Sequence, residues 1–154
     1  SRLFYANLGD VESIRYAPVD RTHGIAALAA IVGLTCVNSG LEVDLMGQAN
    51  VEYQSGVQLG GQGGMIDFIR GARASKGGLA IMALPSTAKR GAVSRIVPQL
   101  LQGTPVSVVR SDIDLVVTEH GIADLREADM NIRRERLIAI ADPAFRDALA
   151  RNPS

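Results

Sequence analysis

The sequence predicts an α/β fold. Its apolar positions recur at two residues in some segments and at about 3.6 in others, and the two periods alternate along the chain. Short apolar runs at residues 34–37 and 79–84 are bounded by Gly or Pro, as buried strands are. Between them, Gly60-Gly61-Gln62-Gly63-Gly64 opens onto Met65, Phe68, Ile69 and Ala72, spaced i, i+3, i+4 and i+7 as on one face of a helix.

The elements follow in order. Residues 1–21 are mixed and polar, read as a short strand or two and a loop closed by Pro18. Leu3-Phe4-Tyr5 looks like a strand entered part-way, and with Ser1 in place of Met this gives the expectation of a fragment. Asp20 or Thr22 can cap a helix running to about Ile31, with Ile25, Leu28, Ala29 and Val32 on one face and Gly33 as its stop. Residues 34–37 read as a strand buried on both faces, and Asn38-Ser39-Gly40 as a turn. Residues 41–46 alternate, with Leu41, Val43 and Leu45 inward. Gly47-Gln48-Ala49-Asn50 turns the chain, and residues 51–53 form a third short strand before the glycine loop and its helix. Loops follow at residues 75–78 and 86–91, either side of the strand 79–84. Residues 94–98, 106–110 and 112–118 read as strands, and 122–125 as the start of a turn or short helix. Residues 131–140 form a helix, and Asp142-Pro143 caps a last one, with Pro at its first position.

At 154 residues and 47% apolar content the chain has enough material for one domain with its own core. Sixteen basic and sixteen acidic residues cancel, so no global field favours nucleic acid or an anionic membrane. The longest apolar run, residues 25–37, is broken by Gly33 and Thr35 and falls short of the ~20 residues of a membrane span. The single cysteine, Cys36, lies in an apolar run and reads as a small buried hydrophobe. One cysteine makes no internal disulfide, which suits a cytoplasmic location.

Several catalytic templates fail. Gly61 and Gly63 start a dinucleotide fingerprint, but Ile66 stands where its third glycine belongs, and no P-loop or GxSxG elbow is present. His23 and His120 lack metal-ligand spacing, so no metal is expected. A Ser94, His120, Asp124 triad can be drawn but is weakly supported; His120 reads better as a loop histidine. The glycine loop before a helix N-terminus can cradle an anion or be a tight turn without a ligand. Lys89, after a strand end and a Ser-Thr pair, can reach a phosphate or stand in solvent. Glu119 reads as a carboxylate bound to backbone amides ahead of a catalytic one.

Six segments in order resemble signature stretches of the acetyl-CoA hydrolase/transferase family: residues 41–50, 63–72, 83–89, 94–98, 116–125 and 137–146. Residues 1–35 match loosely. The resemblance implies an open, twisted, mixed sheet flanked by helices, a CoA-transferase-like domain forming the C-terminal half of a two-domain enzyme. Its substrates would be acyl-CoA and small carboxylic acids of the acetate or 4-hydroxybutyrate type. A glutamate would attack the thioester and pass through a glutamyl-CoA intermediate. The family's nucleophile lies in a Glu-x-x-x-Asp-Gly segment ahead of this domain, and Glu12, Glu42, Glu52 and Glu119 all stand in other contexts. The expectation is therefore a chain that carries part of the active site, inactive alone, and completed by a missing N-terminal domain, with a homodimer as a further candidate assembly.

By the same resemblance Gly64, with Gly63, offers a backbone N–H to the oxyanion, and Lys89 contacts CoA. Gln48 and Asn50 would line the same pocket, and Gly64→Val would block the N–H while leaving the fold intact. Met65 replaces a usual glutamine, and residues 57–62 depart from the usual Ser-Gly-Val/Ile, so the resemblance does not define the acyl-group pocket. The alternative is a non-catalytic structural or dimerisation module that kept the fold.

Overall fold

A computed structural model describes residues 2–7, 9, 11 and 13–151. Three short helices come first: α1 (Arg2–Asn7), α2 (Val19–Thr22) and α3 (Ile25–Ala29). The expected opening strand at Leu3-Phe4-Tyr5 is thus helical, and all three side chains are exposed. Among the described residues no strand pairs with them, and the local run of apolar residues alone does not hold an extended conformation. Ser1 lies outside the described residues. The single expected helix to Ile31 is broken at Gly24, the N-cap of α3. A Cβ there would stand 2.6 Å from the Asp20 carbonyl oxygen, so the bend needs glycine.

The main sheet has four strands in the order β1 (Thr35–Ser39), β6 (Leu79–Ala83), β10 (Leu115–Thr118) and β11 (Gly121–Asp124). The first three run parallel and β11 returns antiparallel to β10, which makes the sheet mixed and open. Strand β11 replaces the turn or helix expected at residues 122–125. The tight return at Glu119-His120 pairs Val116 with Ala123, and both are fully buried. Strand β1 lies at the sheet edge: Cys36 is buried, but Val37 is 62% exposed, so the segment is covered on one face only. Burial also pushes the Cys36 thiol above its ordinary value.

Helix α4 (Met65–Ala74) makes the crossover from β1 towards β6 and packs on both strands. Met65, Ile69 and Ala72 are buried and Phe68 packs beside them, which is the stripe that the spacing predicts. Gly71 sits inside this helix because α3 crosses against it: a Cβ there would lie 2.4 Å from that of Leu28. The usual penalty of about 0.5–1 kcal/mol for a helical glycine is offset by that close approach. Arg73 of α4 pairs with the buried Asp114, whose other oxygen accepts the Ala80 N–H at 2.9 Å, so helix and sheet are joined by a charge pair as well.

A second layer holds β2 (Glu42–Asp44), β3 (Ala49–Asn50) and β9 (Ile96–Val97) in the order β3-β2-β9. Two hairpins project from it: β4 (Tyr53–Gln54) with β5 (Val57–Gln58), and β7 (Thr87–Ala88) with β8 (Val93–Ser94). The loop expected at residues 86–91 therefore contains strand β7. The strand expected at residues 106–110 reduces to one bridge between Val108 and Ala49, because Gly103-Thr104-Pro105 and the turn at Val109–Asp112 leave little straight chain between them. Val43 and Leu45 point inward as expected, but Asp44 between them is also fully buried. Its carboxylate accepts the backbone N–H groups of Met46 and Gln48, which converts a nominally outward position into the anchor of a turn.

Helices α5 (Met130–Ala139) and α6 (Pro143–Arg151) close the chain over β11. Asp129 caps α5 by accepting the Ile132 N–H at 2.9 Å, and Asp142 accepts the Ala144 N–H at the start of α6. Leu137 and Leu149 complete the core. Among the described residues no helix is long and apolar enough to cross a membrane.

Candidate active site

Gly64 is the N-cap of α4, with φ −84° and ψ 7°, and its carbonyl accepts the Phe68 N–H at 3.2 Å. Among the described residues no group accepts the Gly64 N–H. Gly63 before it is exposed and takes φ +53°, a left-handed conformation that glycine adopts without strain. This is a backbone donor at a helix N-terminus, where the macrodipole also favours negative charge.

His23 lies against the same glycine, a neighbour that the sequence does not announce. A Cβ on Gly64 would stand 2.4 Å from His23 Cδ2 and 2.5 Å from Nε2. The imidazole is oriented twice. Its Nδ1 is 2.8 Å from Thr22 Oγ1, and its ring meets Phe68 edge-on with centroids 4.9 Å apart. Two residues 41 positions apart thus meet because α3 crosses α4. No spacing rule in the sequence encodes that approach.

Lys89 stands apart from Gly64. It is exposed at the tip of the β7–β8 hairpin, where Lys89, Arg90 and Gly91 take φ values of +50°, +58° and +89°. Two successive non-glycine residues in this region are strained, by about 1–3 kcal/mol each. Lys89 lines a cleft of about 180 Å³ together with Leu41, Glu42, Tyr53 and Val93. Gly63 and Gly64 do not line it, so glycine loop and lysine cleft are two separate features of this chain.

Gln48 and Asn50, expected at the same pocket, are engaged in hydrogen bonds within the fold. Neither lines the cleft. The Gln48 amide donates to Asp44 at 2.8 Å, inside the turn. Asn50 is fully buried, and its amide donates to Glu42 Oε1 and the Tyr53 carbonyl while its oxygen accepts the Glu52 and Tyr53 N–H groups. Both atoms are saturated, so Asn50 supports the cleft residues Glu42 and Tyr53 from behind.

Glu119 follows β10, at the end of the parallel strands where open α/β sheets place ligands. One carboxylate oxygen accepts the Ser86 hydroxyl at 2.7 Å and the other the Ser86 N–H at 2.8 Å. The Ser86 hydroxyl, then the backbone N–H groups of Glu119 and Ser86, hold its carboxyl below the usual range. It is the amide-bound carboxylate that the sequence suggests. Beside it an open apolar groove runs along Ala83, Leu84, Pro85 and Val117. The drawn triad does not assemble: Ser94 Oγ donates to the Ile96 carbonyl, Asp124 is held by Arg126, and His120 lies 3.8 Å from Asp142. Of the glutamates, Glu12 lies outside the described residues. Among the described residues no group of three His, Cys, Asp or Glu side chains is placed to hold a metal ion.

Residues 1–152 match the acetyl-CoA hydrolase/transferase C-terminal domain. The chain belongs to this family. Within it, the chain is 49% identical over 116 residues to the 4-hydroxybutyrate coenzyme A transferase of Clostridium kluyveri, covering 75% of this chain and 27% of that protein. It is 37% identical over 155 residues to the butyryl-CoA:acetate CoA-transferase of Anaerostipes caccae, covering 99% and 35%. The crystal structure of RipA from Yersinia pestis superposes with a TM-score of 0.90 at 39% identity, covering 97% of this chain and 34% of RipA. The chain spans about a third of the length of these relatives. The mixed, open α/β architecture is that of the family's CoA-transferase structures.

Proposed function

We propose that this chain is the C-terminal, CoA-handling domain of a cytoplasmic CoA-transferase or acyl-CoA hydrolase. It works with a domain N-terminal to it, and the nucleophilic glutamate lies outside this chain. Family membership supports the enzyme class. The observation that carries the site is the Gly64 N–H, free of acceptors among the described residues at the N-terminus of α4.

In the proposed reaction the glutamate carboxylate attacks the acyl-CoA carbonyl carbon. The C–S bond breaks, CoA leaves as thiolate and a mixed anhydride remains. The thiolate then attacks the glutamyl carbonyl, releasing the first acid as carboxylate and leaving the glutamyl-CoA thioester. A second carboxylate attacks the glutamyl-CoA carbonyl and expels CoA thiolate, which then attacks the new acyl carbonyl, giving the second acyl-CoA and freeing the glutamate. In a hydrolase water attacks instead, and free CoA and the glutamate are released. Each attack places negative charge on a carbonyl oxygen. The Gly64 N–H meets that charge, and a preorganised donor of this kind contributes about 3–4 kcal/mol in the transition state. Gly63 lets the chain enter the helix without a side chain over the site. Lys89 meets a phosphate of CoA as a point charge at the rim of its cleft.

Calorimetric titration of the chain with CoA tests this reading. Saturable binding that weakens in Lys89→Ala supports it. Absence of binding both here and in the longer protein that contains this domain would favour a structural or dimerisation module instead.

A further inference from the structure

The glycine loop has little to hold it from outside. A Cβ built at Gly60, Gly61 or Gly63 would meet nothing within 4 Å, and residues 59–61 are exposed. Four exposed or half-exposed glycines in five residues leave such a loop many conformations. Yet Gly64 can act as a fixed donor only if the loop arrives at the helix in one of them.

The contacts that restrain it converge on one residue. The Glu52 carbonyl accepts the Leu59 N–H at 2.7 Å, and Glu52 Oε1 accepts the Gln62 side-chain amide at 2.9 Å. The same Oε1 accepts the Ser107 hydroxyl at 2.9 Å. Ser107 is buried, and its oxygen accepts the Val51 N–H at 3.1 Å, so the carboxylate is braced against the chain that follows β3. The Glu52 N–H is held in turn by the buried Asn50. Within the loop, Gln58 donates to the Gly60 carbonyl, and the Gln62 carbonyl accepts the Met65 N–H.

We propose that Glu52 is the positioning residue of the glycine loop. Its carbonyl fixes the entry at Leu59, its carboxylate fixes the exit at Gln62, and Ser107 and Asn50 fix Glu52 itself. The Gly64 N–H, two residues past Gln62, is thereby aimed. The catalytic half of this proposal rests on the reading of Gly64 as an oxyanion donor; the hold on the loop does not.

Amide hydrogen exchange of the chain tests the hold. Glu52→Ala is expected to speed exchange of the Leu59 and Met65 N–H groups, the hydrogen-bonded amides at the two ends of the loop, by tenfold or more while β6 and β10 stay protected. Glu52→Gln, which keeps an acceptor oxygen, is expected to restore most of the protection. Gln62→Ala removes the same tether from a half-buried site and gives the answer should Glu52→Ala fail to fold. Unchanged exchange of the Leu59 and Met65 N–H groups in both Gln62→Ala and a folded Glu52→Ala would overturn the proposal. In the longer enzyme, Glu52→Ala is expected to lower kcat about tenfold at unchanged KM for acyl-CoA, with partial rescue by Glu52→Gln. Faster loop exchange with wild-type kcat would overturn the catalytic half. If the wild-type enzyme itself turns over no acyl-CoA, the reading of Gly64 fails while the exchange result still decides the role of Glu52.

Discussion

The His23 imidazole occupies the face of Gly64 on which a side chain would stand, with Cδ2 only 2.4 Å from the place of a Cβ. A side chain at position 64 would meet this neighbour at once. A bulky residue at position 64 would push His23 off Thr22 and Phe68, so Gly64→Val disturbs packing and does not isolate the N–H. This contact bears against the expectation that the substitution spares the fold.

Gly64→Ala is expected to destabilise the chain by about 1–3 kcal/mol, the usual cost of overpacking. In a His23→Ala background the cost is expected to shrink below about 1 kcal/mol, because the ring that collides is gone. Urea denaturation of the four proteins in this cycle measures the coupling. Equal costs in both backgrounds would show that the ring moves aside freely.

The N–H is isolated in the same background. In the longer enzyme, His23→Ala/Gly64→Ala keeps the donor and His23→Ala/Gly64→Pro removes it. The φ of −84° lies near the range of proline, and position 64 uses no backbone acceptor. Turnover of the proline variant is expected to fall about 10²–10³-fold below the alanine variant. Matched rates in single-turnover measurements would remove Gly64 from the chemistry.

Lys89→Ala is expected to weaken CoA more than dephospho-CoA if the lysine meets the 3′-phosphate. Its exposed position on a strained hairpin tip makes little packing depend on the side chain, so the melting temperature should barely move. Equal losses for the two ligands, read by calorimetry, would assign Lys89 to the diphosphate.

Glu119 and Ser86 give a pH signature. A carboxylate whose folded-state pKa lies below its unfolded one stabilises the fold above the unfolded value, and that contribution is lost as pH falls through the folded one. The stability difference between wild type and Ser86→Ala is therefore expected at neutral pH and should shrink below about pH 4. NMR titration should show the Glu119 midpoint rising in Ser86→Ala, because the hydroxyl bond is the first cause of its depression. Since the Glu119 side chain is half-exposed, solvent screening keeps the energy small. An unmoved midpoint would mean that the backbone N–H groups hold the carboxylate unaided.

Local patterns in the sequence carried the elements whose signals are short-range. The stripe of α4 follows from residue spacing, the Asp142-Pro143 start of α6 from capping, and the α/β class from alternating periods. The ordered segments from residue 41 onward also carried the family resemblance, since each pairs a turn with its flanking strand or helix. Where partners are distant, the tertiary structure decided. Strand β11 exists because β10 offers it an edge, and residues 3–5 are helical where no described strand pairs with them. Asn50 was chemically suited to a pocket, but Glu42, Glu52 and Tyr53 close around it and use every polar atom. His23 reached Gly64, and Glu52 reached Gln62, only once α3 crossed α4 and the β4–β5 hairpin folded back. Periodicity and capping are properties of neighbouring residues, whereas the direction of an N–H and the saturation of a side chain depend on contacts made across the fold.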